Sequence, residues 1–196
     1  MVVLIGEITS SFQCIDESYE LSFRGVVTPA SLLEENNIKF KIIGKISQDC
    51  QGEEHKNLLL EYKWSDEEYI FRSPLLSSVM IDYDTRLKGT APAAIEKDEI
   101  ITALTSISPD WIVLTESILS VDPAASSIVD ALKALTKKPN VVVYQDAAWP
   151  YVESLECLKN TIEALSKDVK VYVMGESVEV ADAIKIERDH FIDLIK

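Results

Sequence analysis

A chain of 196 residues can bury ~70% of the surface its unfolded form exposes, so one substantial core is expected over residues 1–196. Hydrophobic residues make up 47% and charged residues 27%, ordinary globular usage that excludes long disorder. A formal net charge of -14 argues against nucleic acid as a partner, because phosphate backbones are held by clustered Lys and Arg.

Val2, Val3, Leu4 and Ile5 form a continuous apolar run ended by Gly6, which predicts a strand buried on both faces. Residues 10–24 are polar and irregular, with Tyr19, Leu21 and Phe23 alternating as a short outer strand. Thr28 as N-cap and Pro29 at N1 predict a helix through Leu32 and Leu33, closed by Asn36 and Asn37. Phe40, Ile42 and Ile43 predict the next strand, with Gly44 at its carboxyl end, and a helix covers about residues 52–62. Residues 75–82 read as another strand.

From Gly89 onward the pattern becomes regular. Helices are predicted near 95–106, 123–136 and 152–166, strands at 111–114, 141–144 and 169–173, and helical stretches from 176 to the end. Alternation at this spacing implies a mostly parallel sheet with helices on both faces, and no repeat or composition shift marks a second domain.

Cys14, Cys50 and Cys157 have neither CxxC spacing nor an even count, which argues against a disulfide framework or a zinc site and fits a reducing cytoplasm. The apolar start lacks a basic flank and is too short for a leader or a membrane span. The six glycines, Gly6, Gly25, Gly44, Gly52, Gly89 and Gly175, stand singly. Neither G-x-G-x-x-G nor G-x-x-x-x-G-K-[ST] occurs, so no glycine-rich loop of either kind is present to cradle a nucleotide's phosphates.

Taken in order, Gly6-Glu7, Arg24-Gly25, the stretch from Gly44-Lys45 through Asp49 to Gly52, Gly89-Thr90-Ala91-Pro92, and Asp146-Ala147-Ala148-Trp149-Pro150 resemble landmarks of the ribokinase-like (PfkB) carbohydrate kinases. The flavour is closest to bacterial fructokinases. The resemblance implies a three-layer α/β/α fold with a mostly parallel sheet and a reduced β lid, drawn from residues 19–23 and 69–82. It maps the chain onto the N-terminal, substrate-side part of a family member. The family's G-A-G-D segment, with its catalytic Asp, anion-holding backbone and nearby nucleotide contacts, belongs to the remaining part. Phosphoryl transfer depends on positioning and charge stabilisation, so the implied expectation is a protein that is non-catalytic on its own, with no cofactor. The alternatives are an ATP- and magnesium-dependent sugar kinase completed by further sequence or another chain, and a structural or regulatory module.

Several substrate-side groups depart from the family pattern. Residues 9–12 carry no acid, Arg24-Gly25 stands for a paired glycine, and Val27-Thr28-Pro29-Ala30 lacks the sugar-binding amide. Asp146-Ala147-Ala148-Trp149 keeps the carboxylate of D-P-N-x-R and loses its amide and guanidinium.

Gly25, Gly44, Asp49, Asp146 and Trp149 remain as substrate-side candidates for a small sugar or nucleoside. Asp49 reads either as a ligand carboxylate or as a helix cap, and Asp146 as a site acid or a turn residue. Trp149 reads as a ring-stacking surface or a core-closing aromatic. Glu176 and Glu179, similar to the family's N-x-x-E element with Glu for Asn, could share a magnesium ion or begin a solvated helix. His55 and His190 stand alone in sequence and read as surface residues. Lid strands in the family often pair between subunits, and an unpaired strand edge is a template for another chain, so a homodimer is expected.

Overall fold

The structure, a computed structural model, describes residues 1–15, 18–81, 84–146, 151–175 and 178–196. Val2–Ile5 form β1, buried at every position, as a strand covered on both faces requires. Strands β2 (Ile8–Ile15) and β3 (Ser18–Gly25) lead into helix α1 (Val27–Glu35). Next come β4 (Phe40–Ser47), α2 (Cys50–Glu61), β5 (Ile70–Ser73), β6 (Ser78–Ile81) and β7 (Asp84–Thr85). The later chain alternates α3 (Lys97–Ile107), β8 (Trp111–Thr115), α4 (Glu116–Leu119), α5 (Ala124–Ala134), β9 (Asn140–Tyr144), α6 (Leu155–Ser166) and β10 (Val171–Met174). It ends in β11 (Ile184–Ile186) and α7 (Phe191–Ile195).

Seven strands make a parallel sheet in the order β11-β10-β9-β8-β1-β4-β5. Successive strand residues face opposite sides, and each side has its own apolar layer. Val3, Ile5, Ile112, Leu114 and Val143 share one layer with Ile100 of α3, Ile128 of α5 and Leu158 of α6. Val2, Leu4, Ile42, Val113 and Val142 share the other with Leu33 of α1, Leu59 of α2 and Phe191 of α7. The result is the three-layer α/β/α architecture of the ribokinase-like fold. Each fully buried aliphatic side chain contributes about 1.5–3 kcal/mol, so these two layers, rather than helix caps, hold the domain together.

The order of addition reverses at β1. Strands β4 and β5 extend the sheet on one side, and β8 through β11 extend it on the other. The crevice beyond the carboxyl ends of β1 and β8 is therefore a topological switch point, where open α/β sheets bind ligands.

A second sheet, ordered β3-β2-β6-β7, forms the lid. Its pairing differs from the sequence expectation in two respects. Residues 10–15, which read as irregular, belong to the eight-residue strand β2, because Thr9, Ser10 and Ser11 are polar yet fully buried and give no apolar alternation. Residues 70–73, assigned to the lid from sequence, instead pair in parallel with β4, Gly44 opposite Ile70, and extend the main sheet. At the carboxyl end, Ile184–Ile186 is a strand beside β10 where the pattern predicts helix.

Candidate functional site

Glu7 lies two residues past the end of β1, after Gly6, and sits in the switch-point crevice with no exposed surface. Thr115, at the end of β8, donates a hydroxyl to its Oε2 at 2.6 Å, and Ser117 at the start of α4 donates to its Oε1. Burial drives the carboxyl above its ordinary value of 4.5, and the charge of Asp146 adds to the rise, while the Ser117 and Thr115 donations oppose it. Gly25, ending β3, lies against the same group. A Cβ on Gly25 would stand 2.3 Å from the Glu7 carbonyl oxygen and 2.7 Å from Oε1, and its φ of +78° is one that side chains disfavour.

Asp146 follows β9 and reaches the crevice from the other side. It is 9% exposed and accepts a 2.7 Å bond from the Thr28 hydroxyl. Thr28 therefore does not cap α1, as its sequence context suggests; the helix begins at Val27 without a side-chain cap. Burial, and then the negative charge of Asp146, push the Tyr144 phenol up to about 12. Glu7, Gly25, Thr115, Ser117, Tyr144 and Asp146, joined by Glu116 and Tyr151, enclose about 10 Å³, room for one water at most. Gly25 and Asp146, both candidates from the sequence, thus meet around Glu7, which in the sequence is a landmark of the resemblance and not a site candidate. Its place just past the first buried strand, after Gly6, is the signal that marks it.

Asp49 belongs to a second polar cluster. Its carboxylate caps α2 by accepting from Gly52 N–H at 2.8 Å, and also accepts the Ser77 hydroxyl at 2.7 Å and Ser77 N–H at 3.0 Å. Burial opposes its ionisation, but these donations, with Ser47, hold it down at about 2. Ser77 precedes β6, so the cap also ties the lid to α2.

A parallel tie involves His55, which is buried (1% exposed) and not the surface residue its isolation in sequence suggests. Ser10 of β2 donates to Gln51 Oε1 at 2.7 Å and lies 2.8 Å from His55 Nε2. With the single hydroxyl proton on Gln51, the imidazole Nε2 is the donor of the second contact. Phe23 of β3 meets the same ring edge-on at 5.9 Å. Burial holds His55 down at about 4, against a smaller upward pull from Asp49. His190 is exposed.

The other candidates lie apart or outside the described residues. Gly44 is an interior residue of β4, and an added Cβ would meet only the Gly6 carbonyl, at 3.8 Å. Glu179 is exposed and borders an apolar groove with Val173, Val178 and Val180. Its proposed magnesium partner Glu176, and Trp149, lie outside the described residues. No group of three or more potential metal ligands occurs among the described residues, and none of their helices is long and apolar enough to cross a membrane.

The fold defines the class to which the chain is similar. A sugar kinase from Pyrococcus horikoshii solved with ATP superposes with a TM-score of 0.71 at 12% identity, over 89% of this chain and 62% of the other. The 2-dehydro-3-deoxygluconokinase of Thermotoga maritima gives 0.70 at 14%, over 93% and 61%. Fructokinase from Vibrio cholerae gives 0.66 at 15%, over 88% and 62%. The chain thus spans less than two thirds of the length of these carbohydrate kinases, and at such identities the likeness is one of fold. No protein-family model and no curated protein matches the sequence.

Proposed function

We propose that this chain is a sugar-kinase-like protein that does not itself transfer phosphate and binds a small polyhydroxylated ligand beneath its lid, above the closed floor of the crevice and not within its gap of about 10 Å³. The observation that carries the reading is the state of the two crevice carboxylates. A general base must come within hydrogen-bond reach of a substrate hydroxyl, whereas Glu7 is fully buried and engaged by Thr115 and Ser117, and Asp146 is engaged by Thr28. Both groups hold the crevice together, and the 196 residues contain no glycine-rich phosphate motif.

A second reading, an ATP- and magnesium-dependent carbohydrate kinase completed by further sequence or another chain, is favoured by the likeness to kinases, one of them solved with ATP. Thermal-shift titration with sugars, nucleosides and ATP–magnesium tests both. A sugar or nucleoside at a hundred times its dissociation constant should stabilise the fold by ~2.7 kcal/mol. Asp146→Ala should weaken that ligand about tenfold while the wild type releases no ADP from ATP. Sugar-dependent ADP release would overturn the non-catalytic reading, and unchanged affinity in the variant would remove Asp146 from the site.

We further propose a homodimer formed through the lid. Leu21, Phe12 and Ile81 lie directly opposite one another across β3, β2 and β6 and make an apolar row; Leu21 is 46% and Ile81 53% exposed. Light scattering should give twice the chain mass, and Leu21→Glu with Ile81→Glu should halve it. A monomeric mass for the wild type at working concentration would refute the assignment.

A further inference from the structure

The two faces of the lid differ in chemistry. One face carries the apolar row and the Ser10 and Phe23 contacts to α2. On the other, Arg24 lies opposite Thr9 and Thr9 opposite Ser78, while two residues along Ser22, Ser11 and Met80 form the next row. Thr9 and Ser78 satisfy each other through a buried 2.8 Å bond.

Ser11 and Arg24, on the same face, are left without partners. Ser11 is fully buried and its hydroxyl has no hydrogen-bond partner among the described residues. Arg24 is half-buried, its Nε is shielded from water with no partner, and its guanidinium makes no hydrogen bond or ion pair among the described residues. Ser11 pairs with Ser22, so Arg24 is its diagonal neighbour, with backbones about 7–8 Å apart and within reach of a long side chain. They nevertheless do not bond each other.

Shielded polar groups left unpaired in a native fold call for an explanation. A guanidinium offers only donors and a serine hydroxyl can donate, so the partner they lack is an acceptor. A negatively charged acceptor is the one a guanidinium binds most strongly. The chain has 33 Asp and Glu against 19 Lys and Arg, yet no acid among the described residues is placed on Arg24. Arg24 directly precedes Gly25, the glycine that closes over Glu7, and lies on the opposite face of β3 from it.

We propose that Arg24 and Ser11 receive the anionic group of a ligand seated under the lid, so that the ligand is a sugar acid or a sugar phosphate and not a neutral sugar. This inference rests on the ligand-binding reading above. It assigns Arg24 the charge recognition and Ser11 a supporting hydrogen bond, leaving the crevice side to contact hydroxyls.

Calorimetric titration of the full chain tests it with matched series: D-glucose, D-glucuronate and D-glucose 6-phosphate, and D-ribose, D-ribonate and D-ribose 5-phosphate. At least one anionic member should bind tenfold or more tighter than its neutral counterpart, and which member does so separates carboxylate from phosphate. Arg24→Gln should bring the two within about twofold, Arg24→Lys should restore part of the preference, and Ser11→Ala should weaken the anion by a smaller factor. The ligand-free melting temperature of Arg24→Gln should be unchanged or higher, since a shielded Nε without a partner has been removed. Equal binding of neutral and anionic members would overturn the anion site and leave the sugar reading standing. No binding in either series would overturn both. A lower melting temperature with unchanged selectivity in Arg24→Gln would assign Arg24 a purely structural role.

Discussion

Gly25→Ala is expected to destabilise the fold by about 3–5 kcal/mol, a large share of the stability of an ordinary domain. Two costs combine. A φ of +78° disfavours any Cβ by about 1–2 kcal/mol, and the new methyl would also stand 2.3 Å from the Glu7 carbonyl oxygen. That carbonyl cannot retreat freely, because it accepts the Val26 N–H at 2.9 Å, and the carboxyl beside it is fixed by Thr115 and Ser117. Gly89→Ala supplies the control. Gly89 has a similar φ of +82° with nothing within 4 Å of an added Cβ, so it should lose only the backbone cost of about 1–2 kcal/mol. Urea unfolding of the two variants separates the contributions. Equal losses would show that the close approach of Gly25 to Glu7 is not a structural requirement.

Residues 2–5, 111–114 and 141–144 announced themselves because strands buried on both faces need unbroken apolar runs, and the main sheet followed from their alternation with helices. The lid was less legible for the opposite reason. Strand β2 buries Thr9, Ser10 and Ser11, whose burial is made tolerable by Ser78, Gln51 and His55, residues distant in sequence. Asp49 was readable as a cap because capping is local, and its second role toward Ser77 was not. Thr28 misled for the same reason: its local context is that of an N-cap, but the long-range acceptor Asp146 takes its hydroxyl. Asp146 could be placed at a strand end, whereas its convergence with Glu7 and Gly25 depends on strand order, which pattern alone does not specify.

The burial of His55 should make stability fall as pH drops from about 6.5 to about 4. In the unfolded chain the imidazole takes up a proton near 6.5, while in the fold it stays neutral down to about 4, so across that interval acid favours the unfolded state. The contribution is complete above 6.5 and should reach a loss on the order of 3 kcal/mol by pH 4. Two carboxylates act elsewhere or in the opposite sense. Asp49, held at about 2 by its hydrogen bonds, loses its contribution only below its ordinary 3.8. Glu7, raised by burial, favours the fold as pH falls toward 4.5 and so partly masks the histidine. The slope of the wild type alone therefore understates the effect, and the informative quantity is its difference from His55→Leu. That variant keeps the Ser10–Gln51 bond and an apolar contact for Phe23, so it should fold. Between pH 7 and pH 4, urea midpoints should fall more steeply for the wild type than for His55→Leu. Parallel curves would mean that the imidazole is protonated in the fold, with Asp49 outweighing burial. The location matters because His55 touches both β2 and β3: its protonation in the fold would place a charge between α2 and the lid, and lid strands should lose amide-exchange protection before the main sheet does.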